Sequence, residues 1–184
     1  MKNWKTLSKE ILLKGDKFLT VENHTIELPD GRIIRNWPWV ITPDFVNVVA
    51  VTDDERFVCF RQTKYAIEGT SLAPVGGYID PGESPVAAAQ RELSEETGYT
   101  ASRWIELGSF PVDANRGCGT GHYFLAIGAR KTTDPVQDDL EEQELQLLTR
   151  QDLEAATERG AFRILPWATA VLLALRYIEK HGFA

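Results

Sequence analysis

The chain has 184 residues, 20 basic and 27 acidic, giving a formal net charge of −7; with 43% hydrophobic and 26% charged residues it is excluded from the disordered and fibrous classes. No apolar run approaches the roughly 18 residues of a membrane span, the opening MKNWKTLSKE lacks a secretory apolar region, and Cys59 and Cys118 form no CxxC pair. The expectation is a cytoplasmic protein with no membrane partner, no disulfide framework and, lacking a basic stripe, no nucleic-acid partner.

In chain order, residues 1–42 read as a small antiparallel β domain. FLTVENHTIEL and IIRNWPWVI flank a Pro29-Asp30-Gly31 turn, a hairpin signal. Residues 43–184 read as a second, larger domain. VNVVAV and FVCFRQT, joined by TDDER, predict another hairpin, followed by a Gly/Ser/Pro-rich stretch. SPVAAAQRELSEETG then predicts a helix over 85–97, with Ser84 as its cap, Pro85 in its first position and Gly98 just past its end. Val86, Ala89 and Leu93 share one face of it and are expected to pack on a sheet. Strands near 103–110 and 122–129, a short strand at ELQLL and helices near 150–159 and 166–180 complete the pattern. The last helix carries Trp167, Val171, Ala174, Leu175 and Ile178 on one face. Strands interleaved with few helices imply an α/β fold, a mixed sheet flanked by helices.

The negative charge is concentrated. Residues 77–99 hold Asp80, Glu83, Glu92, Glu95 and Glu96 against Arg91 alone, and residues 134–144 hold six acids with no Lys or Arg, so the remainder carries a small basic excess. On the predicted helix Glu92, Glu95 and Glu96 stand at i, i+3 and i+4, where each like-charge pair costs a few tenths of a kcal/mol. A divalent-cation site would give that arrangement a purpose, since Mg²⁺ takes hard oxygen ligands; a solvated charged face is the alternative.

The wider spacing carries a resemblance. From Gly77 the chain reads GYIDPGESPVAAAQRELSEETGY, which matches the Nudix box Gx5Ex7REUxEExGU at every fixed Gly, Arg and Glu; only Tyr99 at the last bulky apolar position departs mildly. The resemblance implies a Nudix α/β/α sandwich preceded by a small β domain. It also implies a Mg²⁺-dependent enzyme, with Mn²⁺ as a substitute, that activates a water against a diphosphate. Glu92, Glu95, Glu96 and the Gly76 carbonyl would be the metal ligands. Arg91, paired with Glu83, and Glu92 belong to the catalytic group, and a late-loop glutamate, Glu142 first and Glu141 second, would be the base.

KGDKFLTVENHTIELPDGRII and VVAVTDDERFVCFRQTKYA resemble the N-terminal half of ADP-ribose pyrophosphatases and related nucleoside-diphosphate-sugar hydrolases, commonly homodimers in which the small domain reaches the partner's pocket. The likeness implies diphosphate contacts by Arg61 and Lys64 and base stacking on Trp37 and Trp39, the alternatives being surface charges and ordinary packing. SLAPVGG, with Ala73 near the usual acid, and Ala114, where ADP-ribose hydrolases often carry proline, depart from that branch. The expected reaction is hydrolysis of a nucleoside diphosphate sugar such as ADP-ribose to a nucleoside monophosphate and a sugar phosphate. Alternatives are a Nudix enzyme acting on a dinucleotide or triphosphate, a Nudix isomerase, and a non-catalytic nucleotide-sugar sensor.

Overall fold

The computed structural model describes residues 2–136 and 142–183. It opens with three antiparallel strands, β1 (Lys5–Gly15), β2 (Leu19–Glu27) and β3 (Ile33–Ile41), in the order β1-β2-β3. The Pro29-Asp30-Gly31 turn joins the last two: the Gly31 N–H donates to the Leu28 carbonyl at 2.9 Å and the Arg32 Nε to the Asp30 carboxylate at 2.7 Å. β1 has no inner face to announce it in the sequence. Every residue from Lys5 to Lys14 is exposed, Leu7, Ile11, Leu12 and Leu13 included.

The remaining elements are β4 (Phe45–Thr52), β5 (Phe57–Lys64), β6 (Ile67–Ala73), β7 (Val75–Tyr78), α1 (Pro85–Thr97), β8 (Tyr99–Pro111), β9 (Thr120–Lys131), β10 (Gln143–Leu148), α2 (Arg150–Glu158) and α3 (Leu165–His181). Seven strands form one mixed sheet, β10-β5-β4-β9-β8 with β6 on β5 and β7 on β4, and β4–β9 is a parallel pair. The predicted β4–β5 hairpin pairs only at Ala50↔Val58 and Val51↔Phe57. Beyond that fork β4 takes β7 as its neighbour and β5 takes β6. The Gly/Ser/Pro-rich stretch therefore holds two short strands, which their polar residues and glycines conceal.

Two compact units result: Met1–Asp44 with Phe110–Thr120, and Phe45–Ser109 with Gly121–Ala184. The core of the second is β4, β5 and β9 with the helices, and Val46, Val48, Ala50, Phe57, Val58 and Leu125 are fully buried. At about 1.5–3 kcal/mol per fully buried large apolar side chain, this sheet dominates the stability of the unit.

Strand register separates the two faces of the sheet, because directly opposed residues point the same way and alternate along each strand. The Phe57 ring contacts Phe183, just past α3, so Phe57, its partners Val51 and Leu148, and by alternation Asn47, Cys59 and Arg61 face that side. The opposite face carries Val46 and its partner Gly77, whose missing Cβ would meet the Glu92 carboxylate of α1. Helices thus lie on both faces, as the sequence predicts.

α1 has the predicted caps: the Ser84 hydroxyl accepts from the Ala87 N–H, and Gly98, at φ 73°, donates to the Ser94 carbonyl. Its buried residues are Ala88, Ala89, Leu93 and Thr97, whereas Val86, expected on the packed face, is exposed. The sheet meets the helix from its second turn onward, and small Ala88 and Ala89 allow close approach. On α3, Trp167, Val171, Ala174 and Ile178 are buried together with Ala170, and Leu175 packs against the core from a partly exposed position. No helix of the described residues is long and apolar enough to cross a membrane.

Candidate active site

β7 and α1 bring the box residues together. Gly77 has no side chain because the Glu92 carboxylate fills that space: a Cβ would stand 2.2 Å from its Oε1 and 2.4 Å from its Cδ. The Gly76 N–H donates to Glu96 Oε2 at 3.1 Å. Gly76 itself lies against β4, where a Cβ would stand 2.3 Å from both the Val46 carbonyl oxygen and Asn47 Nδ2.

Arg91 organises the acids around it. Its Nε and Nη2 donate to the two Glu83 oxygens, each at 3.0 Å, and Nη2 also reaches the Tyr78 carbonyl at 3.0 Å. Its Nη1 donates to Glu92 Oε1 at 2.7 Å and to Glu95 Oε2 at 3.1 Å. The two-pronged bond from Arg91 holds the Glu83 carboxyl below its ordinary range, and the same bond, with those to Glu92 and Glu95, makes the guanidinium harder to deprotonate. The expected Glu83–Arg91 ion pair is thus present and ties the loop after β7 to the helix.

Glu92, Glu95 and Glu96 are hard oxygen donors of one helix, two of them already holding a cationic group, and in that chemistry they fit a divalent cation. As they stand, no group of three or more His, Cys, Asp or Glu among the described residues converges on one point. Nη1 bridges two of the three carboxylates, and the third accepts from Gly76.

The second acidic segment leaves from the same helix end. The Thr132 and Thr133 N–H groups donate to the Gly98 carbonyl at 2.8 and 3.1 Å, and the Val136 N–H donates to the Glu95 carbonyl at 2.8 Å. Glu141 lies outside the described residues. Glu142 is exposed immediately before β10, whose first residue Gln143 opposes Gln62. Gln62 belongs to the α1 face of the sheet, and Lys64 closes β5 two residues on, past a register irregularity between Thr63 and Lys64. Arg61 is on the other face, so the structure does not bring it to the box.

Trp37 and Trp39 belong to the first unit and line a cavity of about 350 Å³ with Trp4, His24, Ala114 and Asn115. Trp37 meets Trp4 edge-on, with centroids 5.6 Å apart, and Arg116 stands 5.5 Å over its ring. His24 stacks on Trp39 at 5.2 Å and reaches Glu22 at 2.6 Å through Nε2. The NRGCGTG loop comes close enough that a Cβ on Gly117 would stand 2.5 Å from the Trp39 indole nitrogen. The sequence offered no sign of the His24 stack. It also gave little notice of Asn47, a buried amide in the apolar run of β4 that donates to the Val46 carbonyl at 2.9 Å while its Oδ1 has no partner among the described residues. The interruption of VNVVAV by one polar residue was the available signal.

Residues 42–168 match the NUDIX domain, and residues 4–40 match the nucleoside diphosphate sugar hydrolase N-terminal domain. An ADP-ribose pyrophosphatase of Bacillus subtilis is 34% identical over 122 residues, covering 66% of this chain and 65% of the relative. A methanol dehydrogenase activator of Bacillus methanolicus is 29% identical over 127 residues, covering 69% and 68%. The match to the first therefore spans just under two thirds of that relative's length. In fold, the chain is similar to a crystal structure of ADP compounds hydrolase, with TM-score 0.82 over 100% of this chain and 98% of that one at 21% identity.

Proposed function

The chain belongs to the NUDIX domain family, and from that premise we propose that it hydrolyses the diphosphate of a nucleoside diphosphate sugar such as ADP-ribose, releasing a nucleoside monophosphate and a sugar phosphate. The observation that carries the reading is the box itself, with Glu92 and Glu95 gathered by Arg91 and Glu96 set on Gly76. The substrate class is supported by the match of residues 4–40 to the N-terminal domain of nucleoside diphosphate sugar hydrolases and by the likeness to a relative described as an ADP-ribose pyrophosphatase.

Glu92, Glu95, Glu96 and the Gly76 carbonyl would hold Mg²⁺, or Mn²⁺ in its place. When bound, the ion supplies charge for the diphosphate oxygens and lowers the pKa of a water. The chain's own groups do the rest. Glu142, or Glu141 beside it, takes the proton of the attacking water, and Lys64, at the end of β5, meets the diphosphate. Arg91 keeps Glu83 and the loop after β7 in place. The aromatic cavity of the first unit is suited to a nucleobase, for which stacking is worth roughly 1–3 kcal/mol per base.

A homodimer fits β1, an edge strand exposed over Lys5–Lys14 with four large apolar side chains, a surface that isolated soluble proteins seldom leave open. A reducing cytoplasmic setting fits the two free thiols; burial pushes that of Cys59 up to about 12 and leaves it inert.

The test is a hydrolysis screen of nucleotide sugars, dinucleotides and nucleoside triphosphates with Mg²⁺, identifying both products. Nucleoside monophosphate plus sugar phosphate is the expected outcome. Cleavage of triphosphates alone would overturn the substrate class, and tight nucleotide-sugar binding without turnover would identify a sensor.

A further inference from the structure

On the sheet face away from α1, a cavity of about 460 Å³ opens between β5, β6, β10 and α2. Three arginines line it from three parts of the chain: Arg61 on β5, Arg159 at the C-cap of α2, and Arg163 in the connection to α3. Their guanidinium groups are exposed, and among the described residues none forms an ion pair with a carboxylate. Among the described residues Arg61 has a single long side-chain contact, from Nε to the Thr70 hydroxyl at 3.4 Å.

Arg163 is held in place by its backbone, whose N–H donates to the Ser71 hydroxyl at 3.0 Å, and by a bond from Nη1 to the Glu68 carbonyl. Among the described residues the carboxylate in the lining is Asp152, which caps its own helix, accepting from the Thr149 hydroxyl at 2.6 Å and the Thr149 N–H at 3.3 Å; these bonds, and more weakly the charges of Arg56 and Arg159, hold it below the ordinary carboxylate range. Glu144 opposes Arg61 across the β5–β10 pair, on the same face, without an ion pair between them. The box residues take no part in the lining.

Three like charges brought together around a single carboxylate leave an excess of positive charge, a cost to folding that a bound anion would offset. We propose that this cavity is an anion site for a phosphate monoester dianion, whose charge balances three arginines against one aspartate. A phosphate group presents oxygens to several guanidinium forks at once. The volume exceeds what phosphate alone occupies, which leaves room for an organic part beside Thr70 and Gln146. The site would stand apart from the box and would not need a divalent cation.

The experiment is calorimetric titration of the full chain in EDTA with inorganic phosphate, a nucleoside monophosphate and a pentose 5-phosphate, each in wild type, Arg61→Gln and Arg159→Gln. Circular dichroism melts check that each variant is folded. The expected result is one metal-independent site, weakened about tenfold or more by either substitution, as for loss of a hydrogen bond to a charged group, and unchanged in Glu96→Gln. Equal affinity for all three probes would mean that the phosphate group alone is recognised, and tighter binding of one ester would identify the organic part. No binding of any probe, or binding that both arginine variants retain, would overturn the site. Because turnover is not measured and metal is absent, this outcome is separate from that of the hydrolysis screen.

Discussion

Arg91 and Arg61 occupy opposite faces of one sheet, and the difference between them lies in how many protein groups each satisfies. Arg91 donates to Glu83, Glu92, Glu95 and the Tyr78 carbonyl and is three-quarters buried. Arg61 has, among the described residues, one long contact with a hydroxyl, and it faces an open cavity. A guanidinium with its donors consumed fixes the groups around it; one with free donors is available to a ligand. Residue type alone does not distinguish the two, and in sequence both are arginines beside motifs of interest.

The largest effect expected from breaking this contrast comes from the acids that Arg91 gathers. Glu96→Gln keeps an oxygen to accept from Gly76 and so should fold normally, yet it loses the charge needed to hold a cation. Turnover of the preferred diphosphate should fall by on the order of a thousandfold or more; unchanged turnover would remove Glu96 from the site. Glu142→Gln should cost less, roughly a hundredfold, as for loss of a general base. If Glu142→Gln and Glu141→Gln both turn over normally, the base lies elsewhere.

Next is Gly77→Ala. The new methyl meets the far end of the Glu92 side chain rather than backbone, so the carboxylate can move and the fold can absorb the change. Displacing that group by about an ångström should lower kcat by up to roughly a hundredfold with little change in Tm. Gly76→Ala is the counterpart: its methyl meets the Val46 carbonyl, and it should cost stability by about 1–3 kcal/mol, measured by urea unfolding. Equal melting of the two variants would contradict the geometry.

The box was legible because its chemistry fixes residue types at fixed spacings along one loop and helix, and the side-chain bonds of Arg91 and Glu96 reach partners within about twenty positions. The caps of α1 were legible for the same local reason. What escaped depended on partners distant in sequence. β6 and β7 exist because β4 and β5 part after two residue pairs. Val86 is exposed because the sheet begins to cover α1 only one turn further along. The face of Arg61 is a matter of strand parity, which the motif RQTKY does not reveal. His24 and Trp39 stack through the register of β2 and β3, and Arg159 and Arg163 meet Arg61 only in the folded chain.

A smaller effect separates the two arginines directly. Arg91→Lys keeps the charge and loses the fork that grips Glu83, so it should cost about 1 kcal/mol. Arg61→Lys should stay within about 0.5 kcal/mol of wild type, as is usual for surface changes. A comparable loss in both would mean that Arg61 supports the fold after all.

The smallest effect is carried by pH. Arg91 holds the folded Glu83 carboxyl below its ordinary value of 4.5, so folding favours the charged form. The stability this contributes is complete above about pH 4.5 and is lost as pH falls through the lowered folded value. Glu83→Gln lacks the contribution at every pH. The difference in unfolding free energy between wild type and this variant should therefore be flat near neutrality, on the order of 1 kcal/mol for a partly exposed pair, and should shrink toward zero on acidification. Asp30 and Asp152 are also held below the carboxylate range by their own partners, but they titrate alike in both proteins and cancel in the difference. A gap that widens below pH 4.5 would mean that Glu83 is stabilised in its protonated form, and the bidentate pair with Arg91 would then not be the bond that holds the loop.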